Sequence, residues 1–530
     1  MQIERWDTCE FSFDAERLYA NPFRDVELTA TFAHEPGGRT ITVNGFFDGG
    51  GTWRIRFMPL ELGTWRYTTR SNDPDLDGRT GSLTCVAPSQ PYLHGPLLCD
   101  GHHFRHADGT RRFLVSTRMS CPYTSPTVWA RMIRFLQQHA INRVLFIMGG
   151  IQQTVRELYG KNKDFSRFNV VRFQAIDAVI DALRRADIIA SPYFYYFNDG
   201  DQRGMTLQDD LAYIKYGMAR FGAYANVMPV LGNEIEMKYT ERTHGSYNDF
   251  GHHWANEVGR YLREQAVFGV PVTVHNPMET EHARHPSFYS LLADWPFPWA
   301  DLMLRQAQIG SLSNVAELSA GVPELKSPNY NARGYANHNR LFIDLRRFGI
   351  PMINEEPGYE IFGVLGGERS HIPRSWNSQT SERMVPTLWT ATTAGAYVMW
   401  GHAATYETDD PYPWMIKSKT PQYIRVLQEV MATLPYWEMA PANDLVSANE
   451  EAVEGCPFRT NFCLAKPGEY YLVFSLNGGA LALDLAEGAG YEATQIDPRT
   501  GERRSLGSVG AGRQSIDIAG REQVLLLASA

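Results

Sequence analysis

Long apolar runs are missing from this chain. No stretch of about 18 apolar residues occurs, so no membrane-spanning helix is expected. Basic runs are missing as well: Lys and Arg go no further than pairs such as Arg111-Arg112, Arg184-Arg185, Arg346-Arg347 and Arg503-Arg504, and the net charge is −9. Nucleic-acid binding needs a concentrated basic footprint, so that class is excluded. Cysteine is scarce, and Cys9, Cys85, Cys99, Cys121, Cys456 and Cys463 show no paired spacing. They read as reduced thiols of a cytoplasmic protein. The opening Met-Gln-Ile-Glu-Arg-Trp-Asp has no basic segment leading into an apolar run, which agrees with that location.

Chemical signatures are absent too. There is no His-Glu-x-x-His, no Cys-x-x-Cys, no Gly-x-x-x-x-Gly-Lys and no Gly-x-Ser-x-Gly. Metalloprotease, phosphate-loop and serine-hydrolase chemistry are therefore disfavoured, and no cofactor or metal is expected. His94, His102, His103 and His106 cluster loosely and read as solvated or capping side chains. What the chain has in quantity is aromatic: 12 Trp and 26 Tyr, a supply that suits sugar faces as well as cores.

At 530 residues, two to four domains are expected. Residues 1–88 alternate with period two: Val26, Leu28, Ala30 and Phe32 against Glu27, Thr29 and Thr31, then Trp53, Ile55 and Phe57 against Arg54 and Arg56. This pattern, cut by Gly turns, predicts a small antiparallel sandwich, with Pro88-Ser-Gln-Pro91 as linker. Residues 89–436 change character. Strand-like runs at Phe113–Thr117, Arg143–Met148, Ile188–Phe197, Val227–Leu231, Val270–Val274, Leu302–Ala307, Pro351–Asn354 and Gly395–Trp400 alternate with helical segments such as Val128–His139, Phe173–Arg185 and Leu207–Phe221. Eight such units give an α/β fold, a (β/α)8 TIM barrel. Residues 437–530 revert to β, with Tyr470–Phe474, Ala480–Leu483 and Val524–Leu527 between Gly-rich turns, and predict a second sandwich.

Two strand ends carry carboxylates. Val227–Leu231 runs into Gly232-Asn233-Glu234, and Pro351–Asn354 runs into Glu355-Glu356-Pro357-Gly-Tyr359-Glu360. They fall on the fourth and seventh strands, and the C-terminal strand ends of such a barrel are where it presents its chemistry. Glycosidic cleavage needs two carboxyl groups, one to protonate the leaving oxygen and one to attack or stabilise the anomeric carbon. Pro357 biases Glu356 to an extended conformation, and Glu355 has the opposite pleat parity, so Glu356 is the favoured partner of Glu234.

This arrangement resembles clan A of the glycoside hydrolases, where the Glu after Asn is the acid/base and the seventh-strand Glu the nucleophile. More narrowly, Asn226–Met237, Val274-His275-Asn-Pro277, Gln306 and Pro351–Glu360 resemble, in order, the strand motifs of the apiosidase-like barrels. Phe57-Met-Pro59 and Gly63-Thr-Trp-Arg-Tyr67 resemble the β-sandwich of unknown function that often precedes such barrels, and the tail resembles the β-domain, labelled collagen-binding, that often follows them. After the first barrel strand, where the family commonly has Gly-Asp-Thr-Ala-Trp, this chain has Val115-Ser-Thr-Arg118-Met-Ser. A cation replaces an acidic and aromatic contact there, which leaves the sugar open.

The resemblance implies a retaining glycoside hydrolase acting on an oligosaccharide or glycoside, with Glu234 as acid/base and Glu356 as nucleophile. Asn233, His275, Gln306, Tyr359, Arg118 and Trp400 would contact the sugar. Exo action is expected, because flanking sandwiches often wall one end of the mouth. The partner is a carbohydrate, neither nucleic acid nor membrane, and a homo-oligomer is left open. Blander readings stand beside these: Asn233-Glu234 as a helix N-cap pair, Glu355-Glu356 as a surface charge pair, His275 as a strand cap, Arg118 as one half of a salt bridge and Trp400 as core. A transglycosylase, or a carbohydrate-binding protein on a silent barrel, fits the same residues.

Overall fold

The computed structural model describes residues 1–530 apart from 36, 120–124, 150–153, 161, 198–200, 236–248, 277–293, 310–329, 361–377, 454–455 and 489. Cys121, Glu236, Met237 and Pro277, noted above from the sequence, lie outside the described residues. Eight parallel strands form the central sheet: β1 (Val115–Arg118), β2 (Arg143–Ile147), β3 (Ile189–Tyr196), β4 (Val230–Asn233), β5 (His275–Asn276), β6 (Met303–Arg305), β7 (Met352–Asn354) and β8 (Tyr397–His402). Each pairs with its neighbours in chain order, and β8 returns to β1. Between β4 and β5 the described residues pair by one bridge, from Val230 to Thr273, with Leu231 N–H donating to Thr273 O at 2.8 Å and Thr273 N–H donating to Pro229 O at 3.2 Å. The expected barrel is present.

The strands are short, and β2 and β3 are buried along their whole length, as parallel strands covered on both faces must be. Around them lie helices α1 (Pro126–Gln138), α2 (Val170–Arg185), α3 (Leu207–Phe221), α4 (Asp249–Gln265), α5 (Tyr330–Leu345) and α6 (Ser381–Thr393). Their starts are legible locally. Pro126 opens α1, Asn169 caps α2 by accepting from Arg172 N–H at 3.3 Å, and Thr206 with Asp209 forms a capping box on α3. Beneath the barrel, a hairpin of Leu97–Asp100 and His103–His106 sets Phe104 against Tyr397 at the start of β8. His103 and His106 are buried, not solvated: His103 Nδ1 bonds the Tyr397 hydroxyl at 3.2 Å and His106 Nδ1 bonds Gly95 O at 3.2 Å. No cluster of potential metal ligands occurs among the described residues.

The N-terminal residues form two sheets. One has five strands in the order Gln2–Glu4, Thr80–Val86, Gly63–Ser71, Leu28–His34 and Thr40–Asn44, and the other pairs Cys9–Asp14, Thr52–Phe57 and Phe46–Phe47. Phe32 and Phe57 stack between them at 3.8 Å. The sandwich is antiparallel except that Gln2–Glu4 runs parallel to Thr80–Val86. At the other end, a six-stranded antiparallel sheet built around Tyr470–Ser475 and Gln523–Ser529 faces the hairpin Gly479–Leu485/Gly512–Ile518. It meets the barrel at α6, where Trp389 stacks on Phe474.

A buried charge cluster joins the first sandwich to the barrel. Arg56 grips Asp177 of α2 with two bonds of 2.7 and 2.9 Å, and Arg220 of α3 contacts both Asp177 and, at 2.8 Å, Asp48. Glu10 bonds Arg56 at 2.8 Å and Arg54 bonds Asp48 on the outer side, so three cations and three anions balance, the inner four nearly out of water. Removing one leaves the others uncompensated in low dielectric, which costs about 3–5 kcal/mol. Asp177→Ala is therefore expected to lower unfolding free energy by about that much in urea titration; a loss under about 1 kcal/mol, as for a surface pair, would contradict it.

Candidate active site

Glu234 is delivered by the end of β4. Gly232 is required there by space, since a Cβ would stand 2.9 Å from the Cβ of Tyr195 on β3. Asn233 follows, nearly buried, and Glu234 takes φ of 45°, a left-handed conformation that costs a non-glycine residue free energy and gathers at functional sites. The Asn233 amide nitrogen donates to Glu234 Oε2 at 3.1 Å, and its amide oxygen bonds Nδ1 of His275 on β5 at 2.9 Å. Burial first, then the cations Arg118, Arg305 and Arg143, push the His275 imidazole down to about 3, so the ring is neutral.

Just past β7 the two adjacent glutamates separate. Glu355 turns into the barrel, where Arg143 of β2 holds it with bonds of 2.6 and 3.0 Å and the Tyr193 hydroxyl donates at 2.7 Å. Ser116 and Ser191 accept from Arg143 on either side, so this ion pair has its hydrogen bonds filled. Glu356 is placed otherwise. Its carboxyl is raised to about 8, by burial and then by the Glu234 carboxylate, while Arg118 and a hydrogen bond from Tyr359 pull it down. Thus Glu234, Arg118 and Tyr359 all act on Glu356, Asn233 bonds Glu234, and His275 stands behind Asn233. Gln306 is buried just beyond β6.

Trp400 is a correction. The ring expected as a sugar platform is fully buried, packs against Phe135 of α1 and donates its indole N–H to Glu360 Oε2 at 3.0 Å. It points away from the barrel axis into the helix layer. Glu360 also accepts from Ser418 at 2.6 Å, from Thr420 at 2.7 Å and from Ser381. This hub fixes the Tyr359–Glu360 segment along Gly401–His402 of β8, where a Cβ on Gly401 would strike the Tyr359 ring at 2.7 Å.

Comparison with known families decides what barrel this is. The model described as apiosidase-like, catalytic domain, matches residues 136–438, more than half of the chain. The chain belongs to the apiosidase-like family. It is a glycoside hydrolase by that membership. Residues 2–72 match a domain of unknown function, DUF5060. Among solved structures, a Bacteroides vulgatus ATCC 8482 protein provisionally named a glycoside hydrolase aligns over 100% of both chains at 20% identity, with a TM-score of 0.73. A glycoside hydrolase family 5 protein from the same organism covers 83% of this chain and 94% of its own at 16% identity, with a TM-score of 0.62. At such identities the likeness is one of fold. No curated protein matches significantly. No helix among the described residues is long and apolar enough to cross a membrane.

For this apiosidase-like barrel, sequence reasoning missed Arg143, Tyr193 and the Glu360 hub. Arg143 had a signal: it is the one charge opening an otherwise apolar strand, Arg143-Val-Leu-Phe-Ile.

The raised Glu356 carboxyl has a consequence for stability. Folded, the coupled pair of Glu234 and Glu356 holds one proton up to about 8, whereas an exposed carboxyl gives its proton up near 4.5. Between those values the folded state binds more protons than the unfolded state, so this group's contribution to stability falls as pH rises. The Tm of wild type minus that of Glu356→Gln should therefore decline from pH 5 to pH 8. A flat difference across that range would contradict the coupling.

Proposed function

We propose that the chain is a retaining, exo-acting glycoside hydrolase that works by double displacement, with Glu356 as nucleophile and Glu234 as acid/base. The observation that carries the reading is the electrostatic coupling of these two carboxyls, with Arg118 and Tyr359 both favouring charge on Glu356. A buried carboxyl and a half-buried one coupled in this way share one proton near neutral pH, and the pair titrates as a unit. The cation and the tyrosine hydroxyl bias the shared proton toward Glu234. The resting pair then has the ionisation that the first step needs. Glu355, with its oxygens taken by Arg143 and Tyr193, is a support and not the nucleophile.

In the first step a Glu356 oxygen bonds to the anomeric carbon as the glycosidic C–O bond breaks, and Glu234 gives its proton to the departing oxygen. In the second, ionised Glu234 takes a proton from water, whose oxygen displaces Glu356 and restores the configuration. The Asn233 amide donates to the sugar hydroxyl beside the anomeric carbon, an interaction that strengthens in the transition state. Gln306 and Tyr359 complete the pocket, with His275 behind Asn233. Exo action goes with the reading. The N-terminal sandwich reaches the barrel's mouth side, where Arg24 meets Asp209 at 2.9 Å and Asn21 meets Ser166 at 2.9 Å.

The test is hydrolysis of aryl pyranosides and furanosides of both anomers by wild type, Glu234→Gln and Glu356→Gln, with product configuration followed by NMR. Retention of configuration, with a loss of at least about a hundredfold in each variant, is expected. An inverted product, or activity surviving both substitutions, contradicts the mechanism.

A further inference from the structure

Among the described residues, backbone pairing in the barrel is thinnest at the β4–β5 seam, and a chain of side chains crosses it. His275 Nδ1 lies 2.9 Å from Asn233 Oδ1, and Asn233 Nδ2 lies 3.1 Å from Glu234 Oε2. A chain of this kind has a direction, because an amide presents an acceptor on one side and a donor on the other. Run one way, His275 carries its proton on Nδ1 and Glu234 Oε2 accepts from Asn233. Run the other way, the amide is flipped, His275 is protonated on Nε2 and Glu234 holds its proton on Oε2.

His275 itself decides between them. Its Nε2 is buried and has no hydrogen-bond partner among the described residues, and the ring stands at 78° to the Tyr193 ring, 6.2 Å between centroids. The charged groups that act on the ring are the guanidiniums of Arg118, Arg305 and Arg143, all buried. A proton on Nε2 would be a buried donor with no acceptor, among cations. A bare lone pair there is favourable. We infer that His275 is a positioning residue: as an Nδ1–H donor to the Asn233 amide oxygen it turns the amide nitrogen toward Glu234 Oε2, and so leaves the catalytic proton to Oε1. The inference rests on Glu234 as the acid/base. It also fixes the second amide hydrogen of Asn233, the one offered to the sugar hydroxyl.

Two experiments test it. With imidazole nitrogens labelled by 15N, long-range proton–nitrogen spectra of wild type are compared with His275→Asn, the absent signals being those of His275. The neutral Nδ1–H pattern between pH 5 and 8 is expected; an Nε2–H pattern overturns the inference. This spectrum needs no substrate, so it stands or falls apart from the double-displacement reading. The second compares the active aryl glycoside with its 2-deoxy counterpart. Asparagine places an amide nitrogen where Nδ1 stands. His275→Ala should lower the ratio of kcat/KM for the two substrates about tenfold, and His275→Asn should hold it within about threefold. Equal losses on both substrates in His275→Ala would mark the residue as packing only and overturn the inference.

Discussion

A buried carboxyl and a half-buried one that act on each other cannot both carry charge cheaply, and the site depends on that constraint. Glu234 and Glu356 come from opposite sides of the barrel, and each raises the cost of ionising the other. Their coupling favours one proton held between them. Which group holds it is set by the surroundings: Arg118 and Tyr359 attend Glu356, and an amide attends one oxygen of Glu234. On the proposed reading, the barrel supplies an acid and a base from two identical side chains by environment alone.

Holding such a pair requires rigid supports, and these are built from polar groups where a plain core would use apolar ones. Arg143 and Glu355 form a closed ion pair under the mouth, satisfied by Ser116, Ser191 and Tyr193. The Glu360 hub ties the segment after β7 to β8 and to the chain beyond it. Outside the barrel, the Arg56–Asp177–Arg220–Asp48 cluster clamps α2 and α3 to the first sandwich. Buried ion pairs of this kind add little net stability, but breaking one is costly, so they fix geometry.

The barrel was legible because parallel strands buried on both faces read as apolar runs, and because Gly232-Asn233-Glu234 and Glu356-Pro357 mark strand ends. The helix starts were legible from Pro126 and from Thr206 with Asp209. Orientation around a strand was less so. Trp400 closes an apolar run, and nothing in its neighbours in sequence says that its ring turns outward to Phe135 and Glu360. The His103 and His106 rings are buried for a similar reason: the hairpin that carries them is folded under Tyr397, nearly 300 residues later. Adjacent glutamates were separable because pleat parity distinguishes Glu355 from Glu356, although the Arg143 that completes the distinction comes from a distant strand.

The most direct test of the account is to trap the intermediate. The 2-deoxy-2-fluoro glycoside of the sugar that proves active, carrying a good leaving group, slows the second displacement more than the first, so a glycosyl-enzyme accumulates. Peptide mass spectrometry of the inactivated protein should find one added sugar on Glu356. A label on Glu355, or a protein that turns over without ever carrying a label, would contradict the assignment of Glu356 as the nucleophile.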